Sequence, residues 1–182
     1  QEGEELIAKY QTKDLLGRLS EAARQFNDIC RELDCPKVGV VGEIFLKFNP
    51  FAQKNVIEWL TEQGIEVVPS VLADFFMQNF VNRKVRVESC IQQQFLPDFV
   101  YKLAYKMVGR QIEKFNKVGS EFRYFNPFKD IFEEADEAKK VISLNAQFGE
   151  GWLLPAEILS YARQGIYNVV SLQPFGCIAN HI

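Results

Sequence analysis

Cys177 closes a Pro174-Phe175-Gly176-Cys177 loop, and His181, the only histidine, follows four residues later. Backbone N–H groups beside a glycine stabilise a thiolate, and soft sulfur suits iron–sulfur centres or zinc, so Cys177 is the candidate metal ligand. One cysteine does not make a cluster. Of the other three, Cys30 and Cys35 flank a helix end and Cys90 lies in a polar linker. Cys30 falls on an apolar helical face and reads as an inert core thiol, and Cys35 reads as a loop thiol. A Ser-His-Asp or Cys-His pair would have to use His181, against the plainer reading of a terminal tail.

Two glycine-bearing turns complete the candidate set. Gly42-Glu43 follows an apolar run, and a glycine there lets backbone N–H groups approach a ligand or phosphate at the next helix. One glycine is neither a G-x-G-x-x-G nor a P-loop motif, and a tight turn with Glu43 solvated or salt-bridged to Lys47 outweighs that reading. Gly149-Glu150-Gly151-Trp152 precedes a helix; two glycines around an acid imply a loop running close to something. Glu150 reads as an N-terminal helix cap in preference to a catalytic base. The candidate cofactor-binding residues are thus Gly42, Glu43, Gly149, Glu150 and Gly151.

The elements that must position them follow from periodicity. Leu15, Leu19, Ala23, Phe26, Cys30 and Leu33 recur at helical spacing, which predicts a first helix from about residue 5 or 13 to 34, stopped by Pro36. Val38-Gly39-Val40-Val41 is a short apolar run suited to a strand covered on both faces. Asn49-Pro50 predicts a helix start, Gly64 its end, and Ile65 to Val68 a second strand, making one right-handed βαβ unit. Helical patterns then occupy Val71 to Phe80, Ile91 to Phe115 and Phe128 to Leu144. In the middle one Ile91, Phe95, Phe99, Leu103 and Met107 form an i,i+4 ladder that predicts a wide buried stripe, with Pro97 marking its true start or a kink. Leu153 to Ala162 is a further helix closed by Gly165, and Asn168 to Leu172 a third strand.

This order predicts an α/β fold: a three-layer, Rossmann-like (flavodoxin-like) parallel sheet with a large helical insertion. Residues 1–35 form an N-terminal helical segment, and 36–182 the Rossmann-like domain with an excursion over about 71–150. The binding edge of such a sheet lies at the carboxyl ends of its strands, where the Gly42 loop, Pro69-Ser70 and the Gln173 to Cys177 loop meet.

At 182 residues, with 47% hydrophobic and 25% charged side chains, the chain is globular and long enough for a real core. A net charge of -3 provides no field for a phosphate backbone, which excludes nucleic acid as the expected partner. No apolar run approaches the ~18 residues of a membrane span, and the acidic start is unlike a signal peptide. Four scattered cysteines fit a reducing, cytoplasmic compartment. The chain starts without Met and stops just after a strand and loop, so we expect a piece of a larger protein.

Three blocks, Val38-Gly39-Val40-Val41-Gly42-Glu43-Ile44-Phe45-Leu46-Lys47-Phe48-Asn49-Pro50-Phe51, Gly149-Glu150-Gly151-Trp152-Leu153 and Leu172-Gln173-Pro174-Phe175-Gly176-Cys177-Ile178-Ala179-Asn180-His181, carry a resemblance over most of residues 36–182. Their order and spacing resemble the dehydratase-like portion of the activators of 2-hydroxyacyl-CoA dehydratases, a group related to the 2-hydroxyglutaryl-CoA dehydratase and benzoyl-CoA reductase subunits. The resemblance implies anaerobic one-electron chemistry on acyl-CoA thioesters, in which an ATP-driven activase passes an electron through iron–sulfur clusters to a dehydratase. It implies a 4Fe-4S cluster in the full-length protein, absent from this piece alone. Only Cys177 matches a position where the wider family uses a cluster cysteine. Other domains of the parent chain, the dehydratase and acyl-CoA are the implied partners. No phosphate loop of the kinase-like ATPase half is present, so ATP hydrolysis is not expected. A cofactor-free docking module between activase and dehydratase, or a generic flavodoxin-like ligand-binding domain, are the alternatives.

Overall fold

The computed structural model describes residues 12–180, with side chains for 14–179. Among them are seven α-helices and three strands: α1 (Thr12–Ile29), β1 (Lys37–Gly42), α2 (Ile44–Phe48), α3 (Val56–Glu62), β2 (Glu66–Pro69), α4 (Leu72–Glu88), α5 (Asp98–Gly119), α6 (Ile131–Ala138), α7 (Leu153–Arg163) and β3 (Asn168–Leu172), then a 3₁₀ turn at Ile178–Asn180. None of the described helices is long and apolar enough to cross a membrane. The chain divides into two compact units, one of α1 with α5 and the other of the sheet with the remaining helices.

In the first unit α1 packs on α5 and on the turn after it. The Phe26 and Phe122 rings stand 6.2 Å apart. Asn27 donates to the Glu121 carbonyl at 2.7 Å and accepts from the Arg123 amide at 2.9 Å, closing the turn. The first helix stops at Ile29, five residues short of the expected 34. Leu33 there is 72% exposed, and a helix with no surface on which to bury its last turn gains little by extending. Cys30 therefore lies just past the helix, half-buried and free.

Pro97 is the true start of α5, its ring locked at φ -58 outside the first turn. That removes Ile91 and Phe95 from the expected ladder. The rest of the ladder is not buried either: Phe99, Leu103 and Met107 are 68%, 57% and 59% exposed. The half-buried line runs instead through Tyr101, Tyr105, Ile112 and Phe115. Periodicity revealed an apolar stripe, but α5 carries two, and the stripe nearer the aromatic residues faces its neighbour.

In the second unit β1 is central in a wholly parallel sheet of order β2-β1-β3. Val40 and Val41 are successive, so they point to opposite faces, and both are fully buried. The sheet is thus covered on both sides at β1, as an all-apolar parallel strand requires. On one face Val41 packs with Leu154, Tyr161 and Ile166. Gly39, on the same face, leaves room for the Tyr161 ring, whose hydroxyl donates to the Val68 carbonyl at 2.8 Å. The three strands fall where the β-branched runs predict them. Helix α3 begins at Val56 rather than at Pro50, because Asn49 accepts from the Ala52 amide and caps a separate turn. Gly64 and Gly165 close α3 and α7 in the left-handed region, as expected. The excursion over about 71–150 contains α4, α5 and α6, with α5 grouped with α1.

Candidate functional site

Order β2-β1-β3 sets the carboxyl ends of β1 and β3 side by side, and open parallel sheets bind ligands outside the carboxyl ends of their strands. Gly42 ends β1 at φ 129 and pairs with Leu172 at the end of β3. A Cβ at Gly42 would meet the Leu172 carbonyl, and the Glu43 amide donates to that carbonyl at 2.9 Å. The close approach expected of this glycine is real, and what approaches is the backbone of β3.

The next turn is a short helix, α2, where the sequence suggests a loop. Its N-terminal amides are filled by the chain's own carboxylates: Glu43 accepts from Leu46 N at 2.9 Å, and Glu150 accepts from Ile44 N at 2.8 Å. Glu150, 3% exposed, is a cap, but of α2 from 106 residues away and not of the helix that follows it. Gly149 takes φ 59, and a Cβ there would lie 3.7 Å from the Ala179 Cβ. Gly151 passes against the Ala146 carbonyl, which also receives the Trp152 amide at 2.8 Å. The three sequence blocks are therefore tied in a ring: the first to the third through Leu172, the second to the first through Glu150, and the second to the third through Gly149 and Ala179.

Cys177 lies on this ring between Leu172 and Ala179, half-buried and free, its amide donating to the Pro174 carbonyl at 3.2 Å. Phe45, Phe148 and Phe175, which lie in or next to these turns along the chain, are exposed. Both amide atoms of Gln173 are buried without a hydrogen-bond partner among the described residues. Nothing in the sequence distinguishes Gln173 from any other polar loop residue. His181 lies outside the described residues, and among the described residues no group of three or more His, Cys, Asp or Glu could hold a metal ion.

Searches of family models, curated proteins and solved structures find no match to this chain.

Beneath α2 sits a polar network that sequence reasoning missed. Lys47 does not pair with Glu43. Its Nζ is buried and donates to Ser70 Oγ at 2.7 Å and to Glu157 Oε1 at 3.0 Å. Burial pushes the Glu157 carboxyl up to about 7, against the pull of Lys47. A second lysine, Lys129, donates to Ser160 Oγ at 2.6 Å. Burial raises Glu134 too, and its Oε2 has no hydrogen-bond partner among the described residues. Asp74, on α4, is 7% exposed and pushed up to about 8 by burial, with Glu134 and Glu157 adding to the rise. The only sequence signal for this network is polar residues on otherwise apolar helical faces.

Proposed function

We propose that this chain is a Rossmann-like, dehydratase-like module of the machinery that activates 2-hydroxyacyl-CoA dehydratases. It works in the cytoplasm through the rim at the carboxyl ends of its strands. The observation that carries the reading is the convergence of all three resembling blocks on that rim, at the crevice between β1 and β3. The four free cysteines accord with a reducing compartment.

A four-iron cluster takes four cysteine thiolates, and the described residues offer Cys177 at the rim and no group that could hold a metal ion. That donor set does not fit a resident cluster. The role left to this chain is to hold the Cys177 turn rigidly at a face that an electron-carrying partner, or the rest of the parent protein, can meet. The capped N-terminus of α2 and the paired Gly42 and Leu172 provide the rigidity. The exposed Phe45, Phe148 and Phe175 favour a second reading, in which the same rim docks between activase and dehydratase without using the thiol.

Anaerobic reconstitution of the full-length protein with an ATP-driven activase and a 2-hydroxyacyl-CoA dehydratase separates the two. Cys177→Ser should lower the activation rate by ~10-fold or more, about 1.4 kcal/mol of barrier, with unchanged thermal stability. Unchanged activation in Cys177→Ser, together with loss of complex formation in Phe175→Asp, supports docking alone. No effect of either change would remove the rim from the function.

A further inference from the structure

A cavity of about 420 Å³ lies where the end of α1 meets the turn after α5. Its apolar wall is made of rings: Phe26 from α1, and Phe122, Tyr124 and Phe125 from the turn. Among the described residues that line it there is no aliphatic side chain, and Arg123 carries the only charge. The walls are fixed by hydrogen bonds to the chain itself. Asn27 holds the Glu121 carbonyl and the Arg123 amide at one end of the turn. Asn116 holds the other end, donating to the Phe128 carbonyl and accepting from the Phe128 amide, each at 2.9 Å. Between them the Phe125 ring lies over Gly119, where any Cβ would collide with it.

We propose that this cavity is a binding site for an aromatic carboxylate, a planar ring held against Phe26, Phe122, Tyr124 and Phe125 with its anionic group on the Arg123 guanidinium. The site is built wholly within the unit of α1 and α5, so it goes beyond the functional reading above and does not depend on it.

Three features select that class. The volume falls inside the ~300–1,000 Å³ of small-molecule sites, and a few polar groups on an otherwise apolar wall are what such sites use to orient a ligand. The wall is aromatic throughout, and rings gain from offset or edge contacts with another ring beyond what burial of area alone gives, which favours a ring over an aliphatic chain. Phe26 and Tyr124 are 56% and 57% exposed, so two of the four rings keep open faces that a bound ring would cover. The guanidinium sets the sign of the ligand's charge and offers paired N–H donors to a carboxylate. Its own partner, Glu32, stands 3.8 Å away in an ion pair open to water, and a pair so exposed holds Arg123 only weakly against a closer anion.

The test titrates the full chain with 2-naphthoate and follows backbone amides by heteronuclear NMR. The Cys30 and Tyr124 signals should move together, with a dissociation constant of ~100 µM or tighter. 2-Naphthalenemethanol keeps the rings without the charge, and cyclohexanecarboxylate keeps the charge without the rings; each should bind ~10-fold or more weakly. In Arg123→Gln the preference for naphthoate over the alcohol should shrink below ~2-fold, with the alcohol bound as before. Tyr124→Ala should weaken both naphthyl compounds and leave cyclohexanecarboxylate unchanged. Both substituted side chains are exposed, so neither change empties a core position. Bound naphthoate should also slow alkylation of Cys30 by N-ethylmaleimide relative to Cys35, which does not line the cavity, as read by peptide mass. The proposal is overturned if millimolar naphthoate moves neither amide, if cyclohexanecarboxylate binds as tightly as naphthoate, or if Arg123→Gln keeps the full preference.

Discussion

Lys47→Met is expected to destabilise the sheet-bearing unit by about 3–5 kcal/mol, because it leaves Glu157 buried without its counter-charge. The lysine is 6% exposed and the glutamate 4%, so water cannot replace the lost partner without opening the interior. The loss should grow with pH. Removing Lys47 removes the chief influence that lowers the Glu157 carboxyl, so in the variant the acid remains protonated further up the scale and is tolerated at low pH. Above its folded value it must ionise alone or unfold the surroundings. Urea melts at about pH 6 and about pH 8.5 should therefore show the smaller deficit at the lower pH. Lys47→Met combined with Glu157→Leu should recover most of the loss, since replacing both members of a buried pair by apolar groups is often close to neutral. Equal deficits at both pH values, with no recovery in the double variant, would show that Lys47 acts through packing alone.

Trp152→Ala is expected to cost about 3–5 kcal/mol, the range for emptying a large aromatic site. Trp152 is fully buried, and its indole N–H donates to Asn82 Oδ1 at 2.7 Å. The residue also ends the Gly149-Glu150-Gly151 turn, so the cavity forms at the base of the segment that delivers Glu150 to α2. Trp152→Phe keeps much of the volume but leaves Asn82 without its donor, and should cost about 1–3 kcal/mol. Urea unfolding followed by circular dichroism measures both, since the variants lose an indole signal. A Phe variant as unstable as the Ala variant would mean that the hydrogen bond, not the volume, holds this turn.

The strands and glycine ends were legible because their causes are local. Val38 to Val41 is β-branched and apolar on both faces, and Gly64 and Gly165 take the left-handed conformation that only glycine adopts without strain. Pro97 fixed the start of α5 for the same reason. What the sequence hides is the identity of partners far away along the chain. Glu150 was readable as a cap, but nothing local says that the capped helix lies 106 residues earlier. Lys47 sits beside Glu43 in a predicted loop and pairs with Glu157, 110 residues on. Asp74 and Glu134 share their helices with exposed acids such as Glu88 and Asp136, so residue type alone cannot separate a buried carboxyl from an exposed one. The α5 ladder shows the converse error: spacing identifies an apolar face without saying whether anything covers it. The resembling blocks were visible as three separate strings, and only the parallel sheet order brings them to one edge.

That convergence is tested most directly by a cross-link between the second and third blocks. In a background with the native cysteines changed to serine, Gly149→Cys and Ala179→Cys together should oxidise to an intramolecular disulfide. The predicted Cβ separation of 3.7 Å lies inside the ~3.5–4.5 Å that such a bond needs. Peptide mapping of the oxidised monomer should recover residues 149 and 179 joined, with no free thiol. Two free thiols in a folded monomer under the same oxidation would place the Cys177 turn away from the glycine turn and contradict the account.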